Sequence, residues 1–376
     1  IGDLLLRGVS DTVRMKFRNG VYTLHPILLP VPGVVPSKPL YFESESGTAA
    51  TVTLFYGATV PDSNYIVRLF GPDYIRFQNL SFTSNTSPGA TYGLIMWLDG
   101  GVEDFRIQNC ILNGTPTTSG VNQTGVYATS SRYTSRTIAN NTFTNGGYGI
   151  YLSGINASVL SSGTQVTNNT FNNQGGIVIN LLNQNAPTIS GNTITGAPQT
   201  GIQLQSCDNG LTVLKNKVSF NGTSGIYVYS STGGTGLPVP RGLIANNFVA
   251  GGASATYGIY FYSSTYEDVV YNSVNMTNTS TTASAFYSYA GSSNSVNVQN
   301  NIFANSGGGL AYNVYTPAGI GTSDYNDFYS PGNYLANWNN VSQFDLASLQ
   351  AASGKDANSI SWYPNFTSAT DLHTPS

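Results

Sequence analysis

The chain has 376 residues, of which 40% are hydrophobic and only 8% charged, with a formal net charge of −3. That hydrophobic share excludes a disordered chain, and no run approaches the ~18 apolar residues that read as a membrane-spanning helix. The 14 Lys and Arg are spread thinly, so no basic patch exists to neutralise phosphates and nucleic acid is not an expected partner.

Tyr (25), Phe (17) and Gly (42) are abundant beside Asn, Ser and Thr, which is the palette of strands and tight turns. In chain order, "IGDLLLRGV" (1–9) reads as a short amphipathic cap ahead of two strands, "VRMKF" and "VYTLH". "LPVPGVVPSKP" (29–39) is a Pro-rich loop between the first rungs. From there a degenerate hexapeptide recurs: apolar–x–polar–Asn–x–apolar. It appears as "IANNTF" (138–143), "VTNNTF" (166–171), "ISGNTI" (189–194), "VLKNKV" (213–218), "IANNFV" (244–249), "VVYNSV" (269–274), "VQNNIF" (298–303) and "SDYNDF" (323–328). Looser copies are "FQNLSF" (77–82) and "IQNCIL" (107–112). The spacing wanders between 23 and 31 residues, which fits a constant rung with loops of variable size at its corners.

Between copies lies a second alternating string headed by Gly, as in "GIYLS" (149–153), "GIYVY" (225–229) and "GIYFY" (258–262). Period-2 alternation is the signature of a strand with one face inward, and Gly at its head suits a sharp corner with positive φ. Two short strands per ~25 residues are marginal alone but satisfied when each pairs with its copy in the next turn. The expected fold is therefore all-β: a right-handed parallel β-helix of about ten or more coils, on the order of 50 Å long at ~4.8 Å per rung. Near the far end "SQFDLASLQAASG" (342–354) reads as a capping helix, started by Ser342 and Asp345 and stopped by Gly354. The chain reads as one domain: residues 1–60 are the N-terminal cap and first coils, 70–330 the repeat coils, and 331–376 the C-terminal capping segment.

The repeats over about 70–330 resemble the right-handed parallel β-helix proteins of the pectin-lyase-like superfamily. The opening "RNGVYTL" (18–24) and "LYFESESGTAATVTLFY" (40–56) is similar to that superfamily's first coil. The tail "DYNDFYSPGNYLANWNN…LASLQAASGKDANSISWYPNF…DLH" (324–373) resembles the closing segment of β-helices in very large secreted surface proteins of gliding-type bacteria. The resemblance implies an extracellular or cell-surface location and a module of a longer polypeptide. A start at Ile1, without Met or a signal peptide, agrees with a mature product or an excised piece. The resemblance implies no activity, because one fold hosts many functions.

Three groups of residues are candidates for function. The first is the Asn column: Asn141, Asn169, Asn192, Asn216, Asn247, Asn272, Asn301 and Asn326. Asn tolerates the left-handed corner and its amides stack along the column, so the column reads as architecture, although "NNT" at 140–142 and 168–170 also matches a glycosylation acceptor. The second is charge. Asp73, Arg76, Glu103, Asp104 and Arg106 form the best cluster and Glu267–Asp268 a smaller one. Neither has the paired-Asp, Gly-His-Gly or Arg-x-Lys pattern of the superfamily's pectin-cleaving members, and His25 and His373 lie at opposite ends of the chain. No catalytic residue, metal site or cofactor is assigned, and Cys110 and Cys207 read as small packing thiols.

The third group carries the functional expectation. Ile226, Ile259 and Phe286 should point inward, sending Tyr227, Tyr260 and Tyr287 outward as one ladder and Tyr229, Tyr262 and Tyr289 as a second. Equivalent positions on earlier rungs are Gln203 and Gln205, Val178 and Asn180, and Tyr151 and Ser153. Flat aromatic plates suit sugar rings and wet interfaces. The reading is a non-catalytic structural and adhesive module of a large extracellular protein or appendage. Its expected partners are a polysaccharide or cell-surface glycan, copies of itself, or neighbouring modules of a longer chain. The alternative is a polysaccharide lyase or glycoside hydrolase on the same fold.

Overall fold

The structure is a computed structural model and describes residues 2–129, 133–236, 238–289 and 296–374. Contacts divide the chain into two compact units, Ile1–Thr188 and Ile189–Ser376. Both are built the same way, as coils of a right-handed parallel β-helix. Each full coil has three short strands. In chain order the second string of the repeat supplies the first, the second and third flank the Asn corner, and a loop leads to the next coil.

The final apolar residue of each hexapeptide forms one column per unit. In the first unit Phe82, Leu112, Phe143 and Phe171 are in register. In the second unit Ile194, Val218, Val249, Val274, Phe303 and Phe328 are. All ten are buried. The opening apolar residue of the repeat does the same on the neighbouring strand: Phe77, Ile107, Ile138 and Val166 align in the first unit. This stacking of like on like satisfies the backbone of every inner strand and fills the core. One exception in the core is Arg136, which is fully buried with its guanidinium stacked 3.1 Å over the Tyr133 ring. Its three side-chain nitrogens have no hydrogen-bond partner among the described residues, and burial pulls its pKa down to about 10.

The corner differs from the expectation in one respect. The residue with positive φ is the one before the column Asn: Asn140 (57°), Asn168 (54°), Lys215 (56°), Asn246 (55°), Tyr271 (58°), Asn300 (56°) and Tyr325 (57°). The column Asn itself points inward and is buried. The physical reason is the division of labour at a tight corner. One residue must be left-handed, and its side chain then faces water. The next must satisfy the backbone inside, and an amide with donor and acceptor does so.

Gly at the head of the second string also has a different reason from the one expected. Gly125, Gly149, Gly201, Gly225 and Gly258 do not have positive φ. A Cβ at Gly125 would lie 2.8 Å from the Phe143 ring, and at Gly149 2.7 Å from the Phe171 ring. The strand enters directly over the core column, where no side chain fits.

At the N-terminal end, Gly2–Arg7 is helical with none of its residues buried. An apolar cavity of about 450 Å³ opens there between Met15, Phe17, Leu24, Leu28, Phe42 and Leu54. At the other end the last parallel strand, Ala336–Trp338, is joined by an antiparallel one, Val341–Gln343. The helix Leu346–Ser353 follows, with Leu349 buried. Asp345 caps it: its carboxylate accepts from the Ser348 amide while the Ser348 hydroxyl accepts from the Asp345 amide. Ser342 takes no part in the cap, and Gly354 ends the helix at φ 65°. Segment 356–360 then seals the Asn corner, through Asn326 N–H to Ser359 Oγ at 2.9 Å and Phe328 N–H to Ile360 O at 3.0 Å. These elements cover an edge that would otherwise template aggregation.

Candidate functional site

The Asn column is a hydrogen-bonded ladder. In the second unit, Oδ1 of Asn216, Asn247, Asn272, Asn301 and Asn326 each accepts the backbone N–H of the column Asn one coil before it, at 3.0 Å. The same oxygens accept from the preceding Nδ2. Each Nδ2 also reaches a carbonyl of the preceding coil, as from Asn247 to Val213 O at 2.9 Å. In the first unit Asn141 and Asn169 do the same, and Asn141 Oδ1 takes the Cys110 N–H at 2.9 Å. Cys110 thus occupies the ladder position where no amide is present. It is a free, buried thiol pushed up to about 12 by desolvation, as expected for an inert packing residue. Cys207, also buried, heads a smaller ladder at another corner: Cys207 N–H to Ser231 Oγ at 3.0 Å, then Ser231 N–H to Ser264 Oγ at 3.2 Å.

The charged clusters are held together largely by ion pairs and hydrogen bonds. Arg106 and Arg76 are in register, and Asp104 bridges them, contacting Arg76 Nη2 at 2.5 Å and Arg106 Nε at 3.2 Å. Asp73 accepts the Glu103 backbone N–H at 2.8 Å. In the second unit Asp268 accepts from Arg241 Nε at 2.6 Å and from Asn297 Nδ2 at 2.7 Å. Glu267 points inward and is fully buried, and both its oxygens lack a hydrogen-bond partner among the described residues. Desolvation holds its carboxyl well above the usual glutamate range. His25 stacks on Tyr56 in the first unit. His373 lies edge-on to Phe248 in the second, because the tail after Tyr363 folds back over the third strands. Among the described residues no group of three or more His, Cys, Asp or Glu is placed to hold a metal ion.

The tyrosines are brought together. Ile226, Ile259 and Phe286 are fully buried, and Tyr227, Tyr260 and Tyr287 share one register on the outer side, half-buried. Tyr229, Tyr262 and Tyr289 form the second column in the same register. The Tyr227 and Tyr260 rings stack at 4.5 Å and 12°, and the Tyr262 and Tyr289 rings at 5.0 Å and 6°. Two further rings join them. Tyr257 stacks on Tyr287 at 4.7 Å, and Tyr315 on Tyr289 at 4.6 Å. Both sit just outside the strings read from the sequence: Tyr257 immediately precedes Gly258, and Tyr315 lies two residues beyond "GLAYN". The first column continues to Gln203 on one side and to Asn313 and Asn337 on the other.

Burial raises the pKa of Tyr227, Tyr257, Tyr260 and Tyr287, reinforced at Tyr227, Tyr260 and Tyr287 by neighbouring phenols, and Tyr287 is pushed up to about 12. At neutral pH the phenols are therefore hydrogen-bond donors rather than bases.

The first unit carries a shorter strip at the corresponding strand: Trp97, Tyr127, Tyr151 and Asn180 in register. Asn180 is thus the counterpart of Tyr151. The expected pairing of Asn180 with Ser153 is off by two residues, because the strand in "GGIVIN" begins only at Ile179. Arg68 lies 4.2 Å over Trp97 and is paired with Asp99.

A family model described as a right-handed beta helix region matches residues 92–253. Among solved structures, the chain is similar to a mutant of a periplasmic alginate epimerase, with a TM-score of 0.58 at 14% identity over 91% of this chain and 76% of that one. It is also similar to A-modules of two mannuronan C-5 epimerases of Azotobacter vinelandii. One aligns with a TM-score of 0.49 at 10% identity, covering 94% of this chain and 92% of that one. The other aligns with a TM-score of 0.44 at 11% identity, covering 94% and 91%. No curated protein matches the chain. At these identities the likeness is one of fold.

Proposed function

We propose that this chain is a carbohydrate-directed β-helix that holds a polysaccharide along the tyrosine face of its second unit. The observation that carries the proposal is the pair of stacked columns Tyr227–Tyr260–Tyr287 and Tyr229–Tyr262–Tyr289, extended by Tyr257 and Tyr315. Ring faces present a rigid, amphipathic platform to the C–H faces of sugars, and the phenol tips donate hydrogen bonds to hydroxyls. The likeness in fold to a periplasmic alginate epimerase supports a carbohydrate as ligand class and an extracellular or periplasmic setting. No helix among the described residues is long and apolar enough to cross a membrane.

That same likeness weighs more for a protein that acts on its glycan, as a lyase or hydrolase would, than for a purely adhesive module. The second reading is therefore a carbohydrate-active enzyme, and binding and turnover are to be measured together. A panel of neutral and acidic polysaccharides, with and without calcium, is assayed for retention of the protein and for product release. Retention should fall roughly tenfold in Tyr260→Ser, as for loss of a central interface ring. Retention unchanged in the triple variant Tyr227→Ser, Tyr260→Ser, Tyr287→Ser would sink the proposal, and product release would select the enzymatic reading.

A further inference from the structure

We infer that the tyrosine face is built for an uncharged glycan and discriminates against polyuronates. The inference rests on the proposed function and names its ligand class. Its starting point is where the charges of the second unit lie.

The second unit holds four Lys and Arg (Lys215, Lys217, Arg241, Lys355) against eight Asp and Glu, so its formal charge is 4 − 8 = −4. None of the four cations reaches the tyrosine face. Lys215 sits at the left-handed corner next to the Asn column. Lys217 lies on the third strand, in register with Phe248. Arg241 is held by Asp268, and Lys355 Nζ donates to the Gly321 carbonyl at 2.8 Å. The first column reads Gln203, Tyr227, Tyr260, Tyr287, Asn313 and Asn337, which is amides and phenols only; Asn313 is buried, its Nδ2 donating to Ser284 Oγ and its Oδ1 accepting from Asn337 Nδ2.

Those six rungs, at ~4.8 Å each, give a strip on the order of 24 Å long. One rung is close to the length of one pyranose residue in an extended chain. An oligosaccharide lying along the rod would thus meet one ring or amide per sugar, except at the rung of the buried Asn313. Amides at both ends suit hydroxyls, since each offers donor and acceptor.

A carboxylate in the same place has no partner. A half-buried ionised group without a cation loses hydration and gains nothing in return. The aromatic ring face carries the negative end of its quadrupole, which repels an anion and attracts C–H groups. The net negative charge of the unit, smaller by one where Glu267 keeps its proton, adds a longer-range repulsion for any polyanion. The first unit does not alter this picture at its own strip, because Arg68 beside Trp97 is already neutralised by Asp99. Recognition of a polyuronate commonly asks for unpaired Arg or Lys at the ring edge, and this face supplies none.

The test uses hexasaccharides in matched pairs that differ only at C6: mannan against mannuronan, galactan against galacturonan, glucan against glucuronan. Binding to the whole chain is measured by calorimetry at low ionic strength. In the pair that binds, the neutral member should bind more tightly by roughly tenfold or more. Gln205→Arg, which places a cation on the outer surface in register with Tyr229, should narrow that gap while leaving the neutral member within about twofold. A uronate bound as tightly as its neutral partner overturns the inference and leaves the glycan reading standing. Silence of all six ligands, together with an unresponsive polysaccharide panel, overturns both.

Discussion

Replacing Asn247 by Ala tests whether the inner ladder, rather than the corner turn, holds successive coils together. Asn247 Oδ1 accepts from the Asn216 backbone N–H and from Asn216 Nδ2, both at 3.0 Å. Its own Nδ2 donates to Val213 O and to Asn272 Oδ1, both at 2.9 Å. Alanine removes all four bonds in a site with no solvent access. The Asn216 backbone N–H is left without a partner, at about 2 kcal/mol. The other three groups keep one bond each or share in the sheet: Asn216 Nδ2 still reaches Ile189 O, and Asn272 Oδ1 still takes the Asn247 N–H. At about 1 kcal/mol each, and allowing for partial re-pairing, the total is about 3–5 kcal/mol. The control is its neighbour Asn246, exposed and at φ 55°. Asn246→Ala should cost only about 1 kcal/mol, for a non-Gly residue with less tolerance of the left-handed region, and Asn246→Gly should be neutral or slightly stabilising. Urea unfolding followed by far-UV circular dichroism and by tyrosine fluorescence reads these differences, and agreement of the two probes checks that unfolding is cooperative. If Asn247→Ala costs no more than Asn246→Ala, the ladder argument is wrong.

Two further substitutions probe the interior. Glu267 is buried with a raised pKa, so the folded chain keeps a proton that the unfolded chain releases. Its contribution to stability is fully present below the ordinary glutamate value of ~4.3 and is lost as pH rises from there through the raised folded value. Glu267→Gln should flatten this slope and raise the melting temperature at neutral pH; an unchanged profile of melting temperature against pH would count against a protonated Glu267. Gly225→Ala brings a Cβ to 2.8 Å from Gly258 O and 3.0 Å from the Phe220 ring, so it should destabilise by about 1–3 kcal/mol. A variant as stable as the parent would show that the strand can lift away from the core column.

Much of this protein is legible in its sequence because a stacked fold repeats one local problem. The hexapeptide ends at Phe143 and Phe171, and at Val218 and Val249, mark columns that are in register and buried. The outward pointing of Tyr227, Tyr260 and Tyr287 also follows from alternation alone. Other features needed the neighbouring coil. The repeat picks out Asn141 in "NN" as the column residue, but does not show that the left-handed turn falls on Asn140 beside it. The Gly at the head of "GIYVY" is explained by a side chain 24 residues further along the chain, Val249, which no local string contains. Tyr257 was missed because it lies before the strand motif and reaches Tyr287 only across a rung.

By itself, then, the sequence determined the coil: which residues alternate inward, where corners fall, and that like stacks on like. Periodicity is a local property, and each copy states it again. Tertiary structure decided what the outward residues do, because that depends on which groups from different coils meet. It turned Arg76, Asp104 and Arg106 from a candidate acid cluster into an ion-paired brace. It gathered eight tyrosines onto one face, and it placed every Lys and Arg of the second unit away from that face. Charge and ring proximity across rungs are set by register, and register is fixed only when the coils stack.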